Sequence, residues 1–183
     1  MKIAAIPGSL RRGSYNRMAL RYIKEGIEET GNEVEVLDLK EYAFPIFDGD
    51  LEAEVGLPEI VAKFKSKIEE SDGVLIVTPE YNHGIPGGLK NAIDWASRKG
   101  NPFRGKFVAI AGASTSSWGT TRSQIAILPV LRTLGMILLP NQVYIPKAEG
   151  EFDENGNAKD EKLIERLKDL GKELVKAVDR FKE

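Results

Sequence analysis

The chain has 183 residues, 42% of them hydrophobic and 30% charged, a composition that predicts one globular domain over residues 1–183 with a substantial core. Its formal net charge of −2 argues against nucleic acid as a partner, and the lack of cysteine excludes disulfides, thiolate metal sites and a thiol redox relay. The chain has a single histidine, no apolar stretch of about 18 residues and no signal-peptide pattern, so we expect a cytoplasmic protein with no metal and no membrane partner.

The chain opens with a short predicted strand, residues 2–7, which leads into a loop rich in hydrogen-bond donors, GSLRRGSYN at residues 8–16. An amphipathic helix is predicted from residue 14 to residue 30. A strand, a Gly/Ser turn and a helix N-terminus together form an anion site, because unpaired N–H groups and the positive end of the helix dipole face the ligand. Four residues of this loop are candidate phosphate ligands: Ser9, Arg11, Ser14 and Asn16. The loop matches neither the GxGxxG dinucleotide fingerprint nor the P-loop.

Two residues of this loop have a second interpretation. Ser14 is also a candidate N-cap of the helix that follows, a role compatible with phosphate binding. Arg12 is interpreted as a solvated loop residue, whereas Arg11 is assigned to the site.

The next elements are a strand at residues 33–39, a Pro/Gly/Asp-rich connection at 41–57 and a helix at 58–71. The third strand, residues 73–78, is an apolar run of the kind that is buried on both faces of a parallel sheet.

A second informative loop, PEYNHGIPGG at residues 79–88, follows this strand directly. Ligands of open α/β sheets bind just beyond the carboxyl ends of the strands. A Pro–Gly-rich turn at that place lets main-chain groups approach a flat ring without an intervening Cβ. The candidate residues of this ring site are Pro79, Glu80, Tyr81, Asn82 and Gly84. We expect Glu80 to hold the loop through side-chain hydrogen bonds or to contribute main-chain contacts only.

The remaining elements continue the alternation of helices and strands. They are a helix at 87–99, a strand at 106–111, a helix at 119–134, a strand between 136 and 145 that is broken near Pro140, and a terminal helix at 160–181. Five βα units of this length predict a doubly wound α/β fold with a parallel sheet in the order 2-1-3-4-5 and a ligand cleft between strands 1 and 3.

A phosphate site after the first strand, beside a flat-ring site after the third, describes a mononucleotide with a ring at its far end, and FMN fits that description. The motifs GSLRRGSYN and PEYNHGIPGGLKNAIDW resemble those of the NAD(P)H-dependent FMN reductase family, and so does Gly112–Ser114 with residues 119–124. The resemblance implies a flavodoxin-like five-stranded sheet, FMN as cofactor with Ser114 in its site, and NAD(P)H as co-substrate. It also implies quinones, azo compounds, free flavin or chromate as acceptors. Residues 115–118 (TSSW) depart from the shorter Gly-containing turn of the family. The resemblance therefore does not define the shape of the pocket rim or the substrate.

No side chain is assigned as catalytic, because the flavin carries the hydride chemistry and the protein supplies binding and orientation. Main-chain N–H groups near Asn82 and Gly84 are candidates to stabilise negative charge on the reduced ring. The preference for NADH or NADPH cannot be read from the sequence, since no Arg/Lys cluster marks a site for the extra phosphate. His83 is interpreted as a rim or interface residue, and Trp118 as a residue that covers the ring edge or packs between subunits.

Two non-enzymatic functions remain open at this stage. A flavodoxin-type electron carrier would bind FMN and dock protein partners, although the net charge of −2 and the Arg-bearing loop disfavour it. A flavin-sensing or partner-binding module is equally compatible with the motifs.

We expect a homodimer or homotetramer that acts on small-molecule acceptors. Tyr42 and the run Phe44–Phe47 place apolar groups on a predicted surface loop, and such patches mark contacts between chains. Trp95 and Trp118 are further candidates for that interface.

Overall fold

Two buried hydrophobic runs, residues 3–7 and 73–77, pair in parallel at the centre of the sheet in the computed structural model, which describes residues 1–182. Further parallel strands flank each of them, and the order β2-β1-β3-β4-β5 is the one that the sequence predicts. The topology is that of a flavodoxin-like α/β fold, and it confirms the predicted fold class.

Strands and helices alternate along the described chain. The strands are β1 (Lys2–Pro7), β2 (Glu33–Val36), β3 (Gly73–Val77), β4 (Phe107–Ala113), β5 (Ile137–Leu138) and β6 (Val143–Ile145). The helices are α1 (Tyr15–Glu28), α2 (Leu39–Tyr42), α3 (Gly49–Val55), α4 (Glu59–Glu69), α5 (Gly87–Ala96), α6 (Thr121–Thr133), α7 (Ala148–Glu151) and α8 (Glu161–Lys182).

The structure confirms the predicted break in the fifth strand and corrects the predicted connection at 41–57. The fifth strand is divided into β5 and β6, which both pair with β4, because Pro140 between them has no N–H group to continue the ladder. The connection predicted at 41–57 contains the second half of α2 and all of α3. Asp38 and Asp48 cap these helices, since their carboxylates accept the N–H groups of the residues two positions further on.

The sheet buries both of its faces, as its continuous apolar strands require. Ile3 and Ala5 of β1 point to the side covered by α1 and α8, whereas Ala4 and Ile6 point to the side covered by α4, α5 and α6. The tips of the central strands are therefore held between two packed layers, and the loops that follow them start from fixed positions.

Helices α1 and α8 approach each other closely enough for backbone contact. A Cβ atom added at Gly26 would lie 2.2 Å from the Lys168 carbonyl oxygen, and one added at Gly171 would lie 2.4 Å from the Ile23 carbonyl oxygen. Only glycine fits at these two positions of the crossing.

Candidate functional site

The carboxyl ends of β1, β3 and β4 lie side by side, and the loops that follow them surround the candidate site. The Gly8 N–H donates to the Val77 carbonyl at 2.9 Å, and the Thr78 N–H donates to the Ala111 carbonyl at 2.9 Å. These bonds continue the sheet into the loops. We call residues 8–14 the phosphate loop and residues 79–84 the ring loop.

A cavity of about 110 Å³ lies between the two loops. It is lined by eight of the predicted site residues: Ser9, Arg11, Ser14, Asn16, Pro79, Glu80, Tyr81 and Ser114. Tyr15, Ala113 and Thr115 complete its wall. The structure thus brings together residues that are more than 100 positions apart in the sequence, whereas Asn82 and Gly84 do not line this cavity.

The phosphate loop presents hydroxyl groups that the protein itself leaves free. Ser14 stands at the N-cap position of α1 but makes no side-chain hydrogen bond to the helix. Its Oγ is buried and has no hydrogen-bond partner in the part of the chain that the structure describes. The Ser9 Oγ accepts the Arg11 N–H at 3.4 Å, which leaves the hydroxyl proton for another acceptor. The first N–H groups of α1 also lack intrahelical partners, so several donors converge on one end of the cavity.

Asn16 joins two elements of the site through its side chain. Its Nδ2 donates to the Ala113 carbonyl at 2.9 Å, and its Oδ1 accepts the Ala113 N–H at 2.9 Å. Both polar groups of the side chain are therefore used to join the start of α1 to the end of β4. Asn16 lines the cavity and positions its wall, and the second N–H of its Nδ2 is not used by these two bonds.

Glu80 holds the ring loop, as the sequence analysis expects. Its carboxylate accepts the N–H groups of Arg122 at 2.9 Å and Ser123 at 3.2 Å, at the N-terminus of α6. The Ser123 hydroxyl donates to the Pro79 carbonyl at 3.0 Å. A carboxylate at this end of the helix is favourable both for the unpaired N–H groups and for the helix dipole. The ring loop is consequently fastened to α6.

The tip of the ring loop is a two-residue hairpin. Tyr81 and Gly84 exchange both main-chain hydrogen bonds at 3.0 Å, and the turn residues Asn82 and His83 have φ values of 48° and 64°. These values are typical of a type I′ turn. Because the Gly84 N–H already donates to Tyr81, the expectation that it stabilises a reduced ring is not supported. Tyr81 is the member of this hairpin that both lines the cavity and is largely exposed.

The loop after β4 is ordered by its own serines. The Ser114 hydroxyl accepts the Ser116 N–H at 3.1 Å, and the Ser116 hydroxyl donates to the Gly119 carbonyl at 3.1 Å. Trp118 lies outside the cavity lining and is 63% exposed, with the Arg122 guanidinium 5.4 Å from its ring centre. Trp118 therefore lies at the protein surface, on the side of the site next to α6.

A family model described as NADPH-dependent FMN reductase matches residues 1–150. The chain belongs to this family.

Two relatives and one solved structure extend the likeness over most of the chain. An NAD(P)H-dependent FMN reductase of Pseudomonas aeruginosa is 40% identical over 169 residues, which cover 91% of this chain and 89% of that protein. An NAD(P)H:quinone oxidoreductase of Solanum tuberosum is 39% identical over 181 residues, covering 92% and 88%. The flavoenzyme NAD(P)H:(acceptor) oxidoreductase FerB of Paracoccus denitrificans superimposes with a TM-score of 0.83 at 32% identity, covering 98% and 97%.

As a member of the NADPH-dependent FMN reductase family, the protein is an oxidoreductase that uses FMN with NAD(P)H as co-substrate. The residues present fit the phosphate of that cofactor. The buried Ser14 hydroxyl lacks a partner, the neighbouring helix N-terminus favours an anion, and the Arg11 side chain offers a planar pair of donors. A buried hydroxyl without a partner costs free energy that a bound phosphate oxygen would recover.

The sequence analysis did not identify Tyr15 as part of the site. Its ring stacks on Phe152 with 5.9 Å between ring centres, while Tyr15 also lines the cavity. The same C-terminal segment is fastened to α1 by Arg21, which donates to the Gly156 carbonyl, and by the Tyr22 hydroxyl, which accepts the Ala158 N–H. Tyr15 stands inside the motif GSLRRGSYN, which was its one available signal, but Phe152 carried none.

The described part of the chain contains neither a membrane-spanning helix nor a cluster of metal-binding side chains. Within residues 1–182, no helix has the length and apolar content needed to cross a membrane. No group of three or more His, Cys, Asp or Glu side chains in the same range is arranged to hold a metal ion.

Proposed function

We propose that the protein is an FMN-loaded NAD(P)H:quinone oxidoreductase. The observation that carries the proposal is the unpaired Ser14 hydroxyl in the cavity between the phosphate loop and the ring loop, which calls for a bound anion at that point. Quinones are proposed as acceptors because the relatives in Solanum tuberosum and Escherichia coli carry the names NAD(P)H:quinone oxidoreductase and quinone reductase.

The side chains of the site divide the work of binding. Ser9, Arg11 and Ser14 would hold the phosphate, and the main chain of Pro79 and Tyr81 would set the position of the ring. The carboxylate of Glu80 is occupied by α6, so it holds the loop and takes no part in proton transfer. When bound, FMN supplies the hydride chemistry. Over one cycle NAD(P)H loses a hydride, and the quinone gains that hydride and one proton from solvent.

Steady-state kinetics with NAD(P)H and benzoquinone test this function. We expect parallel double-reciprocal plots, because one face of the flavin has to serve the donor and the acceptor in turn. The purified protein is expected to be yellow and to release FMN on heating. Intersecting plots with a demonstrable ternary complex, or an adenine-containing flavin in the extract, would contradict the proposal.

The wider acceptor range is a further part of the proposal. Azo compounds, free flavin and chromate share with quinones the ability to accept electrons at an exposed flavin edge. The ring loop leaves that side open, since Tyr81 is largely exposed and the hairpin beyond it lies outside the cavity. Parallel assays with each acceptor at the same NAD(P)H concentration rank them directly.

We also propose that the protein is cytoplasmic and that it forms a homodimer or a homotetramer. The structure changes the set of residues available for the predicted subunit interface. Tyr42 and Phe44 pack against Phe64. Trp95 is fully buried and donates to the Pro45 carbonyl. Trp95 is therefore a core residue and not an interface residue.

Trp118, which is 63% exposed, remains an apolar candidate, and so does Ile46, which is 85% exposed. Ile46 borders an open groove of about 570 Å³ between the 44–47 loop and α5. Light scattering at micromolar concentration tests the dimer, and Ile46→Glu is expected to shift it toward monomer. A mass near 20.2 kDa for the fully active protein would contradict the proposal.

A further inference from the structure

A second cavity, of about 240 Å³, opens on the other side of the phosphate loop, against the end of β2. Its lining includes four cationic side chains and one anionic side chain. The lining residues are Leu10, Arg11, Arg12, Arg17, Asp38 and Lys40. The chain as a whole has a net charge of −2, so this concentration of positive charge is local.

The one carboxylate of this cavity is already satisfied. The Asp38 side chain accepts hydrogen bonds from the Arg17 guanidinium and from the Lys40 N–H, the latter at 3.0 Å. Burial raises the pKa of Asp38, but the bonds from Arg17 and Lys40 outweigh it and hold that pKa below its ordinary value. Asp38 is therefore ionised at neutral pH, and its negative charge is largely neutralised by the ion pair with Arg17.

The other cations have no such partner. In the described range, 1–182, no carboxylate forms an ion pair with the side chains of Arg11, Arg12 or Lys40. The Arg17 Nε–H also lacks an acceptor, although the atom is buried. Unpaired cations that converge on one concavity attract an anion that carries more than one charge.

This cationic cavity and the cofactor site both adjoin a third cavity, with which each shares lining residues. An intermediate cavity of about 260 Å³ is lined by Gly8, Leu10, Arg11, Tyr81 and Pro86–Gly88. Leu10 and Arg11 line both the intermediate cavity and the cationic cavity. Arg11 and Tyr81 line both the intermediate cavity and the cavity between the two loops. A ligand that lies on the ring side can therefore extend along the phosphate loop to Arg12 and Lys40.

We propose that Arg12, Arg17 and Lys40 form the subsite for the 2′-phosphate of NADPH, and that the protein consequently prefers NADPH to NADH. The inference rests on the proposed function, in which NAD(P)H binds over the flavin. A terminal phosphate monoester carries close to two charges and three acceptor oxygens, which suits several cations that approach from different directions. A free carboxylate at the end of β2 would repel that phosphate, but Arg17 neutralises Asp38. The interpretation of Arg12 as a plain solvated residue is replaced by this role.

The test compares NADPH with NADH in the FMN-loaded protein and in the variants Arg12→Ser, Lys40→Ala and their combination. For exposed cations we expect a rise in the KM for NADPH of about threefold for each single variant and about tenfold for the double variant. The KM for NADH should change by less than about twofold, because NADH has no 2′-phosphate. Lys162→Ala, an exposed lysine on α8, is the matched control and should alter neither value.

A binding experiment gives a readout that does not depend on turnover. Calorimetric titration of the FMN-loaded protein with adenosine 2′,5′-bisphosphate and with 5′-AMP should show tighter binding of the bisphosphate by about tenfold, and the double variant should remove that difference. Retention of the flavin spectrum shows that each variant is folded.

The outcomes separate this inference from the proposed function. Equal losses for NADPH and NADH would assign the cations to the pyrophosphate and overturn the inference, and so would unchanged kinetics in the double variant. If the wild-type protein oxidises neither nucleotide, the proposed function fails, while the titration with the bisphosphate still decides the phosphate subsite.

Discussion

The phosphate loop and the ring loop border the same cavity but treat their polar groups in opposite ways. The phosphate loop leaves the Ser14 hydroxyl without a partner and the Arg11 side chain without a carboxylate among the described residues. The polar groups of the ring loop already have partners in the protein. The Glu80 carboxylate accepts hydrogen bonds from α6, and the main chain of Tyr81 is hydrogen-bonded to that of Gly84. The phosphate loop thus keeps donors available for a ligand, whereas the hydrogen bonds of the ring loop fix its own conformation.

This difference predicts that substitutions in the two loops have different consequences. A change in the phosphate loop should weaken cofactor binding and spare the fold, because the Ser14 hydroxyl and the Arg11 guanidinium have no side-chain partner within residues 1–182. A change in the ring loop should weaken the fold first, because it leaves buried partners without bonds. The three substitutions below examine that separation.

Arg11→Ala is expected to have the largest effect. Loss of charge-assisted hydrogen bonds of about 1.5–3 kcal/mol should weaken FMN binding by roughly ten- to a hundredfold. The urea midpoint of the apoprotein should stay the same. FMN fluorescence titration measures the affinity, and Arg12→Ala serves as the control, with a change below about twofold. A change for Arg11→Ala below twofold would mean that this side chain only faces solvent.

Glu80→Gln should act on stability. The amide keeps one acceptor but loses the charge that faces the N-terminus of α6, so the apoprotein should lose about 1.5–3 kcal/mol of unfolding free energy. Urea denaturation of the apoprotein measures this loss. Glu59→Gln replaces a carboxylate in the first turn of another helix, α4, that is exposed, and should have a much smaller effect. A variant that keeps full stability but loses FMN would place Glu80 at the cofactor instead.

Ser14→Ala should have the smallest effect and is the sharpest test of the comparison. Removal of the single hydrogen bond that the uncharged Ser14 hydroxyl donates to the phosphate is expected to weaken FMN binding by roughly three- to tenfold. The apoprotein should be as stable as the wild type or slightly more so, because an unpaired buried hydroxyl is removed.

Ser71→Ala is the matched control for that substitution. Ser71 is equally buried, but its hydroxyl donates to the Lys67 carbonyl at 2.7 Å, so the variant should lose stability without affecting FMN. If Ser14→Ala instead destabilised the apoprotein as much as Ser71→Ala does, the Ser14 hydroxyl would have a protein partner after all.

Most of the fold could be predicted because it depends on local patterns. The apolar runs at residues 2–7 and 73–78 identify the central strands, and the two motif loops follow them directly. Pro140 predicted the break in the last strand, but not that both parts pair with β4. The short helices α2 and α3 were missed, because four to seven residues carry too little periodicity to distinguish a helix from a loop.

The site was predictable as a set of residues but not as a set of bonds. Asn16 lies in the expected motif, yet its partner is Ala113, 97 positions away, and no local pattern specifies which acceptor a side chain will find. The cation cluster was missed for the same reason. Lys40 joins Arg12 and Arg17 only when the end of β2 is placed beside the phosphate loop, so a search of the sequence for neighbouring cations does not reveal it.

The backbone contact between α1 and α8 at Gly26 and Gly171 has a thermodynamic consequence. Helix α1 carries the phosphate loop at its N-terminus, and its backbone packs directly against that of α8. A ligand that binds only the intact arrangement therefore stabilises both helices together. Addition of FMN should slow amide hydrogen exchange in the central turns of α8, which contribute no residue to the cavity between the phosphate loop and the ring loop, as much as in α1. The terminal helix then behaves as a remote reporter of whether the cofactor is bound.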